Sequence, residues 1–208
     1  MTEDLGPQPV AQLILASGSP RRREMLVAQG LAFEVRVADI DETPRAGEAA
    51  DRYVRRLAED KAAAVANTLD ETHGALVIAA DTIVELDGEL LGKPASASDA
   101  RRMVAALAGR AHRVCTGVAI WTANRTNAGV EASTVRFGPM NHDEVAWYVE
   151  TGEPMDKAGG YAVQGLAAPF IEGIDGCYHN IKGLPLSRLR RLLAEAGVDW
   201  RTLPRLQA

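Results

Sequence analysis

The feature that most limits how this chain folds is a short apolar run leading directly into a strongly basic helix start. Residues 13–16 are all apolar and predict a buried strand. Ser17-Gly18-Ser19-Pro20 ends that strand, with Ser19 suited to the N-cap and Pro20 to the first helical position. A strand that passes into a helix through so short a turn favours the α/β class.

Helical and extended patterns alternate along the rest of the chain. Apolar spacing and capping residues predict helices over about 20–30, 48–68, 98–107, 141–152 and 186–196. Apolar runs predict strands over about 33–37, 76–86, 90–91, 114–122 and 131–137, with a hairpin turn at Asp87-Gly88 and a polar loop over 123–129. Residues 153–185, rich in Gly and Pro, predict irregular structure or loops that line a site.

These elements predict an α/β fold with a central mixed sheet flanked by helices. No internal repeat or linker divides the chain. We therefore expect a flexible N-terminus over residues 1–10 and one domain over residues 11–208.

Composition and charge argue against several functional classes. Twenty-eight acidic residues against 23 basic ones give a formal charge of −5, which disfavours sequence-independent nucleic-acid binding. No window approaches the roughly 18 apolar residues of a membrane span. Two cysteines without a CxxC spacing indicate free thiols in a reducing compartment, so we expect a cytoplasmic protein. The four histidines show no zinc spacing and are interpreted as ordinary polar residues in turns or near strand ends: His73, His112, His142 and His179.

Three arginines at a helix start are unfavourable unless an anion binds there. The free N–H groups at a helix N-terminus are partly positive, so Arg21, Arg22 and Arg23 repel that end and one another. A bound anion on which the N–H and guanidinium groups converge would remove the repulsion. The alternative is a basic turn that is simply solvated.

Three further charged residues stand where charge is costly or confined. Asp81 interrupts the apolar run 77–84 and is expensive to bury unless it is paired or binds metal, although it could also cap a turn or face water. Lys61 lies on the apolar stripe of its helix, from which it could equally extend past the core to water. Lys93 precedes a proline, and this fixed backbone can present its charge into a cleft.

Together these charges suit a polyphosphate and a metal ion. Carboxylates at Glu42 and Asp81 suit Mg²⁺ and a water nucleophile, because a metal that bridges phosphate oxygens and an activated water is a common route for phosphoryl hydrolysis. Four cations suit the phosphates: Arg21, Arg22, Lys61 and Lys93. From these residues alone, a metal-assisted phosphohydrolase and a nucleotide binder both remain open.

A series of short segments carries a family resemblance over nearly the whole chain, from residue 13 to the last helix. In chain order the segments are Ser17-Gly18-Ser19-Pro20-Arg21-Arg22, Asp41-Glu42, Arg56-Leu57-Ala58 with Lys61-Ala62, Ala80-Asp81-Thr82, Gly92-Lys93-Pro94, Asp156-Lys157-Ala158-Gly159-Gly160-Tyr161, Gln164-Gly165 and Gly183-Leu184-Pro185-Leu186. Their number and order resemble the Maf family of house-cleaning nucleoside triphosphate pyrophosphatases. The resemblance implies an ITPase-like α/β fold, two lobes around a deep cleft and a homodimer.

The resemblance also implies an activity and its residues. It implies hydrolysis of a nucleoside triphosphate between the α and β phosphates, with Mg²⁺ or Mn²⁺, which keeps non-standard nucleotides out of nucleic acids. Asp81 would be the proton acceptor and would hold the metal with Glu42. The triphosphate would be held by Ser17, Arg22, Lys61 and Lys93.

Three positions separate subgroups of the family. Arg21, Thr82 and Gln164 resemble the subgroup that acts on dTTP and UTP. Gln164 can donate and accept hydrogen bonds, so it could pair with the edge of a thymine or uracil. Ala167-Ala168-Pro169 departs from the family pattern, in which relatives often have a glycine pair, and this departure leaves the base choice open.

Two alternatives remain to the dTTP/UTP hypothesis. One is a broad-specificity or 7-methyl-GTP pyrophosphatase of the same family. The other is a nucleotide-binding regulator of septum formation and cell-division arrest that does not turn over its ligand. The full set Glu42, Lys61, Asp81 and Lys93 argues against a pure binder, which has no need of a carboxylate that activates water.

Overall fold

The computed structural model describes residues 10–70, 72, 74–123 and 125–207. Across those residues a seven-stranded mixed sheet carries helices on both faces. The strands are β1 (Gln12–Leu15), β2 (Glu34–Val35), β3 (Ala75–Leu86), β4 (Glu89–Leu91), β5 (Ala111–Thr122), β6 (Arg125–Phe137) and β7 (Ile171–Asp175). The α-helices are α1 (Pro20–Ala28), α2 (Ala50–Ala66), α3 (Ala97–Leu107), α4 (His142–Glu150), α5 (Tyr178–Lys182) and α6 (Leu186–Glu195).

The strand order produces an interruption along one edge of β3. The sheet runs β2-β1-β3-β5-β6-β7; β1 is parallel to β2 and β3, and the other pairings are antiparallel. On the edge of β3 opposite β5, β1 pairs as far as Ile78, and β4 begins to pair only at Val84. Asp81 and Thr82 lie in the stretch between, which has no strand partner on that side. The sheet is therefore open where these two residues stand.

Alternating side chains of β3 divide the core between the two faces of the sheet. On one face, Val77 and Ala79 pack against the apolar side of α2. On the opposite face, Leu76 and Ile78 join a cluster with α1 and α6, whereas Val84 joins a separate cluster with α3 and α4. These two clusters form two lobes with a cleft between them. The predicted class, an α/β fold with a mixed sheet, flanking helices and two lobes around a cleft, is confirmed.

Gly117 on β5 sets how closely α2 approaches the sheet. A Cβ atom at this position would overlap the backbone carbonyl of Val54 in α2. Gly117 lies directly opposite Asp81 in the β3–β5 register. The close approach of α2 therefore occurs at the level of Asp81, where Lys61 of α2 must reach the carboxylate.

Several element boundaries differ from the sequence predictions. Residues 125–129, predicted as loop, continue β6, because the β5–β6 ladder keeps its register up to Thr122 and Arg125. α3 begins at Ala97 and not at the predicted Ser98, because its N-cap is Ser96, whose side chain accepts a hydrogen bond from the Asp99 N–H. The Gly- and Pro-rich segment contains β7, α5 and short 3₁₀ turns. β2 is shorter than predicted.

Other boundaries match the predictions. Pro20 opens α1, and Asn141 and Glu144 form the capping box of α4. Gly152 follows α4 in the left-handed conformation, with a φ of 75°. The predicted flexible N-terminus, except for Val10, lies outside the described residues. Among the described helices, none combines the length and the apolar character needed to cross a membrane.

We predict that Gly117→Ala destabilises the fold by about 3 kcal/mol, because backbone atoms of α2 cannot move aside as a flexible side chain could. Equilibrium unfolding in urea measures this loss. The matched control is Gly129→Ala on β6, whose nearest neighbour is the flexible side chain of Arg188. Equal stabilities of the two variants would contradict the proposed close packing.

Candidate active site

A cavity of about 450 Å³ opens where the edge of β3 lacks a strand partner. Its lining comes from both lobes and from α2. All nine side chains predicted as site residues line it: Ser17, Arg21, Arg22, Glu42, Lys61, Asp81, Thr82, Lys93 and Gln164. The fold thus brings together residues as far apart in sequence as Ser17 and Gln164.

The cavity carries an excess of positive charge, although the whole chain has a formal charge of −5. Six cationic side chains line it: Arg21, Arg22, Lys61, Lys93, Lys157 and Lys182. Three acidic side chains accompany them: Glu42, Asp81 and Asp156. Such a local excess in a concave site concentrates field lines and favours an anionic ligand.

Lys61 stands between two carboxylates at the centre of the cavity. Its Nζ lies 2.5 Å from Asp81 Oδ1 and 2.7 Å from Glu42 Oε1. Lys61 and Asp81 are both buried. Burial acts to raise the pKa of Glu42, but the hydrogen bond and charge of Lys61, with the charges of Lys93 and Arg22, outweigh it and lower that pKa. The ammonium therefore holds two carboxylate groups together.

Helix α2 fixes Glu42 as well as Lys61. The Tyr53 hydroxyl donates to the main-chain carbonyl of Glu42 at 3.0 Å. Arg56 donates through Nε and Nη2 to the two carboxylate oxygens of Glu48, each at 2.7 Å, which secures the end of the same loop. The position of the Glu42 loop is therefore set by one helix, and that helix is set by its contact with the sheet.

Arg22 is buried, and three of its five N–H donors are already used within the protein. Nε donates to the Gly183 carbonyl at 2.7 Å, Nη1 to Ser17 Oγ at 3.0 Å and Nη2 to Thr82 Oγ1 at 3.0 Å. Burial lowers the pKa of Arg22 and Arg21 adds to the shift, while Asp81 and Glu42 oppose it. The guanidinium remains charged and keeps two N–H donors for a ligand in the cavity.

A series of buried hydrogen bonds continues from Thr82, the partner of Arg22, into the protein core. Thr82 Oγ1 pairs with Thr116 Oγ1 at 2.9 Å, and Thr116 Oγ1 donates to the Asn180 carbonyl at 3.0 Å. The Asn180 side chain donates to the Val114 carbonyl at 2.8 Å and to Ser133 Oγ at 2.9 Å. Thr82, predicted to take part in substrate choice, is thus a direct support of Arg22.

The other two arginines of the helix start have different surroundings. Arg21 Nη1 lies 3.0 Å from Asp156 Oδ2, and this ion pair joins α1 to the opposite lobe. Lys157 Nζ in turn lies 2.5 Å from Asp156 Oδ1. Arg23 is exposed and does not line the cavity. The three arginines at the start of α1 therefore differ in surroundings: Arg22 is a buried donor, Arg21 forms an ion pair across the cleft, and Arg23 is solvated.

Three further side chains of the cavity lining are available to a ligand: Lys93, Lys182 and Gln164. Within the part of the chain that the structure describes, no hydrogen bond or ion pair engages the side chains of these three residues. Lys93 follows β4, and Gln164 is exposed in the segment after Tyr161. These groups are free to contact a ligand without first breaking an internal bond.

Sequence reasoning assigned no role to Lys157 and Lys182, which the fold adds to the cavity. Lys157 lies in the segment Asp156-Lys157-Ala158-Gly159-Gly160-Tyr161, so that segment was a usable signal. Lys182 ends α5 beside Gly183, whose carbonyl binds Arg22, and nothing local in the sequence places it there.

The prediction for His112 was right about its place near a strand end and wrong about an ordinary polar position. His112 is buried in β5, where Nε2 pairs with the Tyr161 hydroxyl at 2.8 Å and the ring packs edge-on against Phe137. Burial lowers the pKa of His112 to about 4, so the ring is neutral at ordinary pH. His142 and His179 are exposed, as expected of ordinary polar residues, but they lie in α4 and α5 and not in turns or near strand ends. His73 lies outside the described residues.

The carboxylates of Glu42 and Asp81 are suited to bind a divalent cation that is also coordinated by the phosphates of a ligand. Glu42 and Asp81 converge on one ammonium, so their oxygen atoms face the same small space. Among the residues described, no third acidic, histidine or cysteine side chain completes a metal-binding group with them. Mg²⁺ is commonly bound by one or two carboxylates with substrate phosphates and waters filling the other positions. The donor set suits that mode.

We predict that Thr82→Val weakens binding of tripolyphosphate about tenfold, because the Arg22 Nη2 donor loses its acceptor in a buried place. Thr82→Ser keeps the hydroxyl and is expected to bind like the original chain. Titration calorimetry with tripolyphosphate compares the three proteins. Equal affinity of the Val and Ser variants would show that the hydroxyl does not hold Arg22.

Comparison with known proteins identifies the family. The family model described as Maf-like protein matches residues 12–196. A dTTP/UTP pyrophosphatase from an Anaeromyxobacter species is 50% identical over 191 residues, covering 89% of this chain and 90% of the relative. The dTTP/UTP pyrophosphatases of Symbiobacterium thermophilum and Shewanella oneidensis are each 47% identical, covering 89% of this chain and 94% and 98% of the relatives.

A solved structure shares a distant similarity. The Staphylococcus aureus Ham1 protein aligns with a TM-score of 0.48 at 14% identity, covering 89% of this chain and 99% of the other. The family assignment stands on the sequence matches, which cover most of the length of both partners. This chain belongs to the Maf family.

Proposed function

We propose that this chain is a nucleoside triphosphate pyrophosphatase that hydrolyses dTTP and UTP, with modified pyrimidine triphosphates as further substrates, to the monophosphate and pyrophosphate. Two relatives that share about half of their residues with this chain carry the name dTTP/UTP pyrophosphatase. The observation that carries the proposal is the cation-lined cavity in which Lys61 holds Glu42 and Asp81 together.

The phosphate-binding role falls to four side chains. Arg22 offers its two remaining N–H donors, and Ser17 lies beside it as a hydrogen-bonded neighbour. Lys61 and Lys93 add positive charge from the other side of the cavity. A triphosphate placed among them would meet charge from both lobes, which suits a chain of three adjacent anionic groups.

Asp81 is the proposed proton acceptor. Its Oδ1 accepts the Lys61 hydrogen bond, which leaves Oδ2 for a water molecule. Water adds across the α–β anhydride: its hydroxyl joins one phosphorus, the bridging oxygen leaves with the other, and Asp81 receives the proton. A bound Mg²⁺ or Mn²⁺ supplies charge neutralisation to the phosphates, and Glu42 and Asp81 are the residues that would hold it.

Base selection is proposed for Arg21, Thr82 and Gln164. Gln164 is exposed at the cavity, and its amide offers one acceptor and two donors toward the O4 and N3–H of a uracil or thymine. Thr82 acts through its hydrogen bond to Arg22. Arg21 acts through its ion pair with Asp156 across the cleft.

We further propose a cytoplasmic homodimer that acts on free nucleotides and binds neither nucleic acid nor membrane. The formal charge of −5 supports free nucleotides over nucleic acid, which requires clustered basic surface. The dimer follows from the family resemblance, and the compartment follows from the two cysteines without a CxxC spacing.

The activity predicts a specific substrate pattern. With Mg²⁺, the purified chain is expected to release pyrophosphate from dTTP and UTP faster than from ATP, GTP or 7-methyl-GTP. Asp81→Asn is expected to lower turnover about a thousandfold, because the amide cannot accept the proton. A coupled pyrophosphate assay measures both effects.

The control for that variant is Asp175→Asn, which changes an exposed carboxylate on β7 that does not line the cavity. It is expected to keep the original rate. Turnover by Asp81→Asn at the original rate would remove Asp81 from the mechanism, and the absence of pyrophosphate release by the original chain would remove the proposed activity.

We also predict that Glu42→Gln raises the Mg²⁺ concentration needed for half-maximal rate about tenfold, because a neutral amide is a weaker ligand for a hard cation. Rates measured against Mg²⁺ concentration test this. Glu195→Gln, which changes an exposed carboxylate at the end of α6, is the charge-matched control. An unchanged requirement in Glu42→Gln would contradict a metal role for this residue.

A further inference from the structure

Glu153, which follows α4, uses its carboxylate to hold a segment of the cavity wall. Oε1 accepts the Tyr148 hydroxyl at 2.8 Å and the Leu166 N–H at 3.0 Å, and Oε2 also accepts the Leu166 N–H at 3.1 Å. No residue of the triphosphate site takes part in these bonds. The carboxylate therefore serves a purpose other than phosphate or metal binding.

The same group of contacts holds the segment 162–166 at both ends. The Ala162 N–H donates to the Tyr148 hydroxyl at 3.3 Å, and the Leu166 N–H donates to Glu153. We name this group, Tyr148 and Glu153 with the amides of Ala162 and Leu166, the Glu153 clamp. Gln164 stands midway between the two anchored amides, so its backbone is fixed two residues to either side.

The residue after Gln164 is adapted to the clamp. A Cβ atom at Gly165 would overlap both carboxylate oxygens of Glu153. Any side chain at this position would push the carboxylate away from Tyr148 and Leu166. Gly165 is therefore needed for the carboxylate to reach the segment, and not for a left-handed backbone conformation.

The Tyr148 end of the Glu153 clamp is buried, and its Glu153 end has further hydrogen bonds. Tyr148 is fully buried, and both burial and its hydrogen bond to Glu153 raise the pKa of its hydroxyl, which stays a donor. The main-chain carbonyl of Glu153 accepts Lys157 Nζ at 2.7 Å, and Lys157 also pairs with Asp156, the partner of Arg21. The segment carrying Gln164 is thus connected to the cross-cleft ion pair.

We propose that Glu153 is a positioning residue for base selection: its carboxylate, with the Tyr148 hydroxyl, fixes the segment 162–166 so that the Gln164 amide faces the pyrimidine. The inference rests on the proposed hydrolysis of dTTP and UTP. An amide selects between bases only when its donor and acceptor are held in a fixed orientation, because a freely rotating group pairs with either kind of edge.

The test compares Glu153→Gln with Glu150→Gln. The amide that replaces the Glu153 carboxylate would set an N–H donor against the Leu166 N–H, so the clamp opens, whereas Glu150 is an exposed neighbour on α4 whose change leaves the clamp intact. The kcat/KM for UTP is expected to fall about tenfold in Glu153→Gln, mainly through KM, while kcat/KM for ATP changes less than about twofold. The ratio of the two values is the readout.

A second variant disrupts the same hydrogen bonds by changing the segment and not the carboxylate. Gly165→Ala displaces the carboxylate sterically and is expected to lower the UTP-to-ATP ratio as Glu153→Gln does. The double variant should show little further loss, because both changes remove the same contacts. Tyr148→Phe removes only the hydroxyl and is expected to give a smaller change in the same direction.

The outcomes separate the clamp from general stability and from the proposed function. Equal losses on UTP and ATP in Glu153→Gln, or an unchanged ratio, would overturn the inference. Binding of α,β-imido-UTP and α,β-imido-ATP, measured by calorimetry, gives the same ratio without turnover. Failure of the original chain to release pyrophosphate would therefore refute the proposed function alone, while the ratio of these two affinities would still decide whether Glu153 positions the base-reading segment.

Discussion

The ammonium group of Lys61 is the interaction on which the rest of this site depends. It lies within 2.7 Å of carboxylate oxygens from both Glu42 and Asp81, and it is buried with Asp81. Two carboxylates that share one ammonium group are close enough to repel each other. Without that cation, one of them would move away or take up a proton. Lys61 can reach them because α2 packs against the sheet at Gly117, directly opposite Asp81 in the strand register. A backbone contact in the core thus determines the electrostatics of the cavity.

The interruption in the edge of β3 explains why an acidic residue can stand within a core strand. Neither β1 nor β4 covers the stretch that contains Asp81 and Thr82, so successive side chains turn to opposite sides of one opening. Asp81 meets Lys61 on the side of α2, and Thr82 meets Arg22 on the side of the cleft. The Asp81 carboxylate and the Arg22 guanidinium are therefore both hydrogen-bonded within the protein before any ligand binds. Their positions are therefore set in advance, which lowers the cost of binding a polyanion.

Local patterns in the sequence were sufficient for much of the fold, and together with the family resemblance they named nine residues that line the cavity. The apolar run before Pro20, the capping box at Asn141 and the turn at Gly152 each rest on interactions within a few residues, and each prediction was confirmed. Features set by distant contacts were not accessible. The length of β6 depends on pairing with β5, and burial of His112 depends on Tyr161 from another segment. The sequence likewise indicated six of the nine charged residues that line the cavity, but it assigned no role to Asp156, Lys157 or Lys182 and did not show which partner holds each charge.

The pH dependence of stability in Lys61→Met tests directly whether Lys61 holds the two carboxylates together. The folded-state pKa of Glu42 is lowered, so its pairing stabilises the fold above its unfolded pKa, and this contribution is lost as pH falls through the folded pKa. Urea unfolding of the original chain and the variant from about pH 7 to about pH 3 measures the difference, because the folded-state pKa of Glu42 lies below its ordinary value of 4.5. We expect Lys61→Met to be clearly less stable than the original chain near neutral pH, and we expect this difference in unfolding free energy to shrink on acidification. A difference in unfolding free energy that stays constant over this range would contradict the claim that Lys61 holds the carboxylates together.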